Sequence, residues 1–274
     1  AYHGEGPVWS PYGLRWVDML AGDVLGMDGE RVGRRHVGSV AAALRPRARG
    51  GMVIAVERGF VLCDGDPLDP GVPLRLLPEL WTDPTVRMND GGCDPHGRFY
   101  CGSMAYDQAV GRGTLYRLDP DGSCHVVLTG VTVSNGIDWS PDGTRVYYND
   151  SPTHRVWVFD DDPDAGLTRR RVLVEIPDDD GVPDGLTVDA EGGIWVALYG
   201  GGAVHRYRPD GVLDHVIRLP VSRVTACTFG GADLRDLYIT TSREGLPDGA
   251  EPGAGALFRA RPGVLGRLPR TFAG

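Results

Sequence analysis

Oxygen-bearing residues recur at one position of a repeated nine-residue pattern: Glu5 in "EGPVWSPYG", Asn89 in "NDGGCDPHG", Asn135 in "NGIDWSPDG" and Asp184 in "DGLTVDAEG". Carboxylates and amide carbonyls are hard donors, and a set of this kind suits a cation such as Ca²⁺, which takes about six to eight oxygens with water completing the shell. No His or Cys occupies the position, so Zn²⁺ is a less natural guest, although carboxylates can ligate it. Two formal charges against a dication leave residual positive charge that can polarise a carbonyl or acidify a water.

Taken singly, these residues have a simpler explanation. Asn135-Gly136 between apolar residues reads as a hairpin, and Pro183-Asp184-Gly185 reads as a tight turn. Glu5 resists that account, because a Glu between two glycines and ahead of Pro7 is a poor turn former. The shared register therefore favours a site. Later in each copy stand Ser10, Asp94, Ser140 and Asp189, short polar side chains ahead of a Gly that are suited to bonding their own backbone. Of the two acids in "DGLTVDAEG", Asp189 is expected to make the turn and Asp184 to do chemistry.

Positioning such donors requires a repeated element. Each copy is followed by an apolar stretch, "LRWVDM", "RFYCGSM", "TRVYYND" or "GIWVAL", and two weaker copies begin at Val40 and Thr225. The six copies recur at intervals of roughly 35 to 50 residues, which suits one four-stranded blade per copy. The reading is an all-β fold, a six-bladed β-propeller forming a single domain over residues 1–274, with "DGDPLDPGVP" and "DDDPDAGL" as loops between strands. In a closed rotational array one slot lies at one distance from the axis in every blade. The donors would then converge on a central channel.

Composition narrows the partners. The net charge of −9 argues against nucleic acid or an anionic membrane surface, since both need a cationic face. All 28 basic residues are Arg, read here as compositional bias. Five cysteines without a CxxC pair suggest neither a disulfide framework nor a thiolate zinc site, and a reducing cytoplasm is the expected compartment. No apolar run is long enough to span a bilayer. His3, His96, His125 and His154 read as solvated side chains, "GGG" at 200–202 precedes no helix, and no GxSxG elbow is present. Arg87 alternates onto the same strand face as Asn89.

The segments "GEGPVW", "RMNDGGCDPHGRFYCGSM", "VSNGIDWSPDGTRVYYNDS", "VPDGLTVDAEGGIWVALYGGG" and "TACTFGGADLRDLYITTSREG" resemble the SMP-30/gluconolactonase/regucalcin-like family in order, spacing and content across essentially the whole chain. The resemblance implies one divalent metal, Ca²⁺ first with Zn²⁺, Mn²⁺ or Mg²⁺ as the other candidates, held by Glu5, Asn135 and Asp184. It implies that Arg87 and Asn89 bind substrate hydroxyls. Where the family carries paired glutamates after "GTM", this chain has Tyr106 and Asp107 after "GSM", so Asp107 takes the substrate-facing position. Tyr106, Tyr148, Asp150, Tyr199 and Arg243 fall where they could shape the pocket.

The implied reaction is hydrolysis of a small-molecule sugar-acid lactone, the metal polarising the carbonyl and Asp184 taking a proton from the attacking water. The alternatives are a hydrolase for a non-sugar lactone or phosphotriester, and a calcium-binding propeller without turnover. Fold alone does not separate them. Oligomeric state is left open.

Overall fold

Glycine- and proline-rich turns cut the chain into six antiparallel sheets, each a simple meander whose strands pair in chain order. The first strands are Gly4–Ser10, Ala41–Pro46, Val86–Cys93, Ser134–Trp139, Val182–Val188 and Val224–Gly230. Among the described residues five sheets have four strands and the sixth has three. The fold class is the all-β, six-bladed β-propeller. The structure is a computed structural model that describes every residue except Glu30, Pro163 and Asp164; the last two belong to the "DDDPDAGL" loop of the sequence reading and lie outside the described residues. No helix of the described residues is long and apolar enough to cross a membrane, and all five cysteines are free thiols.

The chain divides into two compact units. One comprises Gly6–Ser134 with Pro269–Gly274, and its core gathers Met19, Ile54, Phe60, Met88, Phe99 and Phe272. The other comprises Ala1–Glu5 with Asn135–Leu268, its core including Val156, Ile194 and Val196, with Trp195, Phe229 and Leu237 in a further cluster. Within each unit the middle strands are apolar on both faces, as in Met52–Val56 or Ile194–Tyr199, because neighbouring sheets cover them on either side. The last strands, such as Arg31–His36 and Leu213–Arg218, are largely exposed and carry Arg, His and Asp, which discourages edge pairing.

First strands share a defect in the ladder. Asn89 and Asp90 together oppose one residue of the second strand, as do Asp184 and Gly185, and Thr225 and Ala42 are single extra residues at the same place. A β-bulge of this kind bends the strand and re-aims a side chain. It also corrects the register of the second copy: Arg47 N donates to Gly51 O as Asp189 N donates to Gly193 O, so the slot there is Ala42 and not Val40. The alternating apolar run of Val40 to Leu44 hides this shift.

The turn makers act as expected. Ser10 Oγ accepts from Tyr12 N, Ser140 Oγ from Arg145 N, and Asp94 Oδ1 from the amides of His96 and Arg98. Asp189 is the most engaged: Oδ1 accepts from Glu191 N at 2.9 Å and Gly193 N at 2.8 Å, while Oδ2 accepts from Trp195 Nε1 at 2.9 Å and Arg206 Nε at 2.7 Å. Although burial works against it, pairing with Asp189 and Asp214 holds the Arg206 guanidinium above its usual pKa. Asp189→Ala leaves an indole N–H and two turn amides without their acceptor and takes one of three carboxylates from Arg206, and should cost about 3 kcal/mol or more. A fall of the denaturant midpoint well beyond that of an exposed control such as Asp210→Ala checks this.

Candidate functional site

Glu5, Asn135 and Asp184 belong to one unit, and backbone packing draws their strands together. Asn135-Gly136 and Asp184-Gly185 are not turns. Both lie inside first strands, and the glycine is required by close approach. A Cβ at Gly136 would collide with Leu186 N and lie 2.8 Å from Asp184 O. One at Gly185 would lie 2.5 Å from Ala226 Cβ and 3.0 Å from Thr225 O. Thr225 Oγ1 in turn donates to Gly4 O at 2.6 Å, beside Glu5. The sequence residue–Gly thus marks strands touching backbone to backbone, and each donor sits next to a contact.

All three donors are buried, Glu5 at 2%, Asn135 at 5% and Asp184 at 5% exposure. Asn135 Nδ2 donates to Ser151 Oγ at 2.9 Å, which fixes the amide and turns Oδ1 away; Oδ1 is buried and has no hydrogen-bond partner among the described residues. A buried carbonyl left so costs about 1–3 kcal/mol unless a donor or a cation meets it. Asn149 Nδ2 donates to the Asp184 carbonyl at 2.6 Å and anchors the strand. Among the described residues no group of three or more His, Cys, Asp and Glu gathers, since the third donor here is an amide. Two buried carboxylates and an unsatisfied amide oxygen fit a hard divalent cation.

His3 corrects the expectation of a solvated histidine. The amino-terminal segment pairs with the sixth sheet through His3 and Ser242, so the ring is buried, with Nδ1 at 2.8 Å from Ser242 Oγ and 3.2 Å from Glu244, and Nε2 at 4.0 Å from Glu5. Tyr199 ends its strand in the same unit. Burial raises the pKa of its hydroxyl, Arg223 opposes this, and the charges of Glu244 and Asp184 add to it. Tyr148 and Asp150 are buried, and Arg243 lies over the Tyr2 ring.

The other unit holds the remaining expected residues. Arg87 Nη1 donates to Asn89 Oδ1 at 2.8 Å and to Met88 O at 2.9 Å, and Asn89 Nδ2 donates to Ser134 O at 2.8 Å. Arg87 also lies 5.7 Å over the Tyr106 ring. Tyr106 donates its hydroxyl to Glu57 at 2.6 Å; burial and this bond push the hydroxyl up to about 12. Despite its burial, Glu57 is held below its ordinary pKa by Tyr106, Ser39 and Arg58. Asp107 is exposed and accepts from Ala109 N at 3.0 Å, a local turn bond. Asn149, Ser151, His3 and Arg223 escaped the sequence reading. Asn149 and Ser151 lie in the segment after the strongest repeat, whereas Arg223 carries no signal in a chain rich in arginine.

The class that this fold and site define is the six-bladed β-propeller with buried oxygen donors on its first strands. The chain belongs to the SMP-30/gluconolactonase/LRE-like family, whose model matches residues 3–243. A Bacillus subtilis protein named "Putative sugar lactone lactonase YvrE" is 34% identical over 282 residues, covering 99% of this chain and 95% of its own. Regucalcin of Danio rerio is 36% identical over 283 residues, with the same coverage. The solved structure of regucalcin from Agrobacterium tumefaciens, described as a calcium-binding protein, is 29% identical and superposes with a TM-score of 0.90 over 99% of this chain and 94% of that one.

A cation that binds only the folded state raises thermal stability by mass action. Millimolar Ca²⁺ should raise the Tm of chelator-treated protein by several degrees, and Glu5→Gln and Asp184→Asn should each abolish most of that gain. Scanning calorimetry with and without the ion checks it.

Proposed function

We propose that this protein hydrolyses a sugar-acid lactone to the aldonic acid, with a divalent cation, Ca²⁺ foremost, held by Glu5, Asn135 and Asp184. The observation that carries the reading is the buried, unpartnered Asn135 Oδ1 beside strands bearing two buried carboxylates. Family membership and relatives named for lactonase activity support the substrate class. When bound, the cation supplies a Lewis acid for the lactone carbonyl.

This chain's residues do the rest. The Asp184 carboxylate accepts the proton of the attacking water, a role for the oxygen that is not a ligand, since ligation weakens a carboxylate as a base. Ser151 and Asn149 hold Asn135 and the Asp184 strand in place through their side chains. Arg87 and Asn89 bind substrate hydroxyls. Their mutual hydrogen bond fixes the guanidinium before substrate arrives, so less ordering is left for binding. Tyr106, through Glu57, orients its ring beneath Arg87.

The test is acid release by chelator-treated protein from a panel of aldonolactones and aliphatic lactones, with single divalent ions restored. Metal-dependent turnover of a sugar lactone is expected. Asp184→Asn should lower kcat at least about a hundredfold, the usual scale for a positioned base. Arg87→Ala should act mainly on KM, by about tenfold for a lost charge-assisted contact. Silence across the panel with metal bound would favour the calcium-binding reading, which the description of the Agrobacterium relative as a calcium-binding protein supports.

A further inference from the structure

Glu57 and Arg58 make the tight turn between strands Met52–Val56 and Gly59–Cys63, and this turn is bonded to the strand that carries Arg87 and Asn89. Met88 N, between those two residues, donates to Glu57 O at 2.8 Å. The turn also supplies a carboxylate. Glu57 Oε2 accepts from Ser39 Oγ at 2.9 Å and from Arg58 Nη1 at 3.0 Å, while Oε1 accepts from Tyr106 Oη at 2.6 Å. Arg58 reaches Glu79 as well, so one cation is shared by two acids. Burial works against the charge of Glu57, yet the bonds from Tyr106 and Ser39 and the charge of Arg58 hold it ionised.

A carboxylate offers about four acceptor positions, and Glu57 fills three of them. The fourth lies on Oε1, the oxygen that Tyr106 meets. That side is not sealed, since the Glu57 side chain keeps 19% exposure and Tyr106 keeps 45%. The Arg87 guanidinium stands 5.7 Å over the Tyr106 ring and is bonded to the Asn89 amide. An ionised acceptor is thus set one tyrosine away from a fixed cation. The combination suits a sugar hydroxyl, which accepts from a guanidinium and donates to a carboxylate. Asp107, by contrast, is exposed and spends Oδ1 on the Ala109 amide.

We propose that Glu57 is a specificity-determining residue: through Oε1 it accepts a hydrogen bond from a substrate hydroxyl beside Arg87 and Asn89, and so selects polyhydroxylated lactones over deoxygenated ones. The inference rests on the lactonase reading and narrows its substrate class. A charged acceptor placed for a hydroxyl is left unpaired when that hydroxyl is missing, so such a contact discriminates strongly. Tyr106 then has two duties. Its hydroxyl aims Oε1, and its ring carries Arg87.

The experiment measures kcat/KM of metal-loaded protein on gluconolactone and on its monodeoxy analogues, each lacking one hydroxyl, for wild type, Glu57→Gln, Tyr106→Phe and Asp107→Asn. In wild type one analogue should lose about tenfold through KM, and in Glu57→Gln that loss should shrink to about twofold or less. Tyr106→Phe and Asp107→Asn should keep the loss, because the Glu57 carboxylate remains. Equal losses in wild type and Glu57→Gln overturn the proposal, and so does a loss that vanishes in Tyr106→Phe too, which would make Glu57 a support for the tyrosine alone. A loss that vanishes only in Asp107→Asn also overturns it. Gluconate protection against thermal unfolding gives a readout free of turnover: a Kd about tenfold weaker in Glu57→Gln, with the ligand-free Tm retained, supports the proposal, and an unchanged Kd overturns it. If no lactone is turned over while gluconate binding depends on Glu57, the lactonase reading fails and the hydroxyl site stands. Absence of both turnover and gluconate binding overturns both.

Discussion

The unit that carries Glu5, Asn135 and Asp184 depends on how closely the backbones of its first strands approach one another. Side chains at the contact points would hold those strands apart, so glycine follows the donor in the copies at 135 and 184. The approach has a chemical consequence. Where two strands touch, the bulge that opens the ladder turns the preceding side chain out of the ordinary alternation, and the neighbouring strand's donor is turned out close by. Packing and the placement of these oxygen donors are one constraint here. A methyl group at Gly136 would disturb both.

The supporting layer is made largely of neutral groups. Asn149 spends its amide on a backbone carbonyl, Ser151 meets the Asn135 amide nitrogen, and Thr225 donates to Gly4 O. Neutral donors fix geometry without adding positive charge beside the acids that a dication needs. Cations are used instead at the turn makers five residues on. Asp189 and Asp94 are paired with Arg206 and Arg98, and the acid there is consumed by structure. Two aspartates in one strand-and-turn segment thus have opposite uses, set by whether an arginine is supplied.

Much of this was legible in the sequence, for physical reasons that differ by residue. The blade period and the turn makers were readable because turns need particular side chains at fixed offsets, and Asp189 behaves as its slot requires. The strand placement of Asn135 and Asp184 was suggested by the shared register and not by either residue singly, since Asn-Gly and Asp-Gly serve hairpins and close strand contacts equally well. Local chemistry could not separate the two. The second copy was misregistered at Val40 because an unbroken apolar run conceals a bulge, which only the ladder at Ala42 reveals. His3 was unreadable as a buried residue because its partner, Ser242, is 239 positions away. Asp107 matches a family position by alignment, yet its Oδ1 serves a local turn.

Two arginines of this chain have lost part of their freedom to aromatic rings. Arg87 lies over Tyr106 in one unit and Arg223 over Tyr199 in the other, and each ring is fixed in turn, Tyr106 by Glu57 and Tyr199 by its strand. An exposed arginine pays about 2 kcal/mol of rotamer entropy when a ligand immobilises it. A guanidinium held on a ring has lost part of that freedom during folding, so more of each contact with substrate appears as affinity. The aromatic face satisfies the cation more weakly than a carboxylate would. Fold places the oxygen donors through backbone contact, and the same repeat sets Arg87 two residues before Asn89 and Arg223 two residues before Thr225.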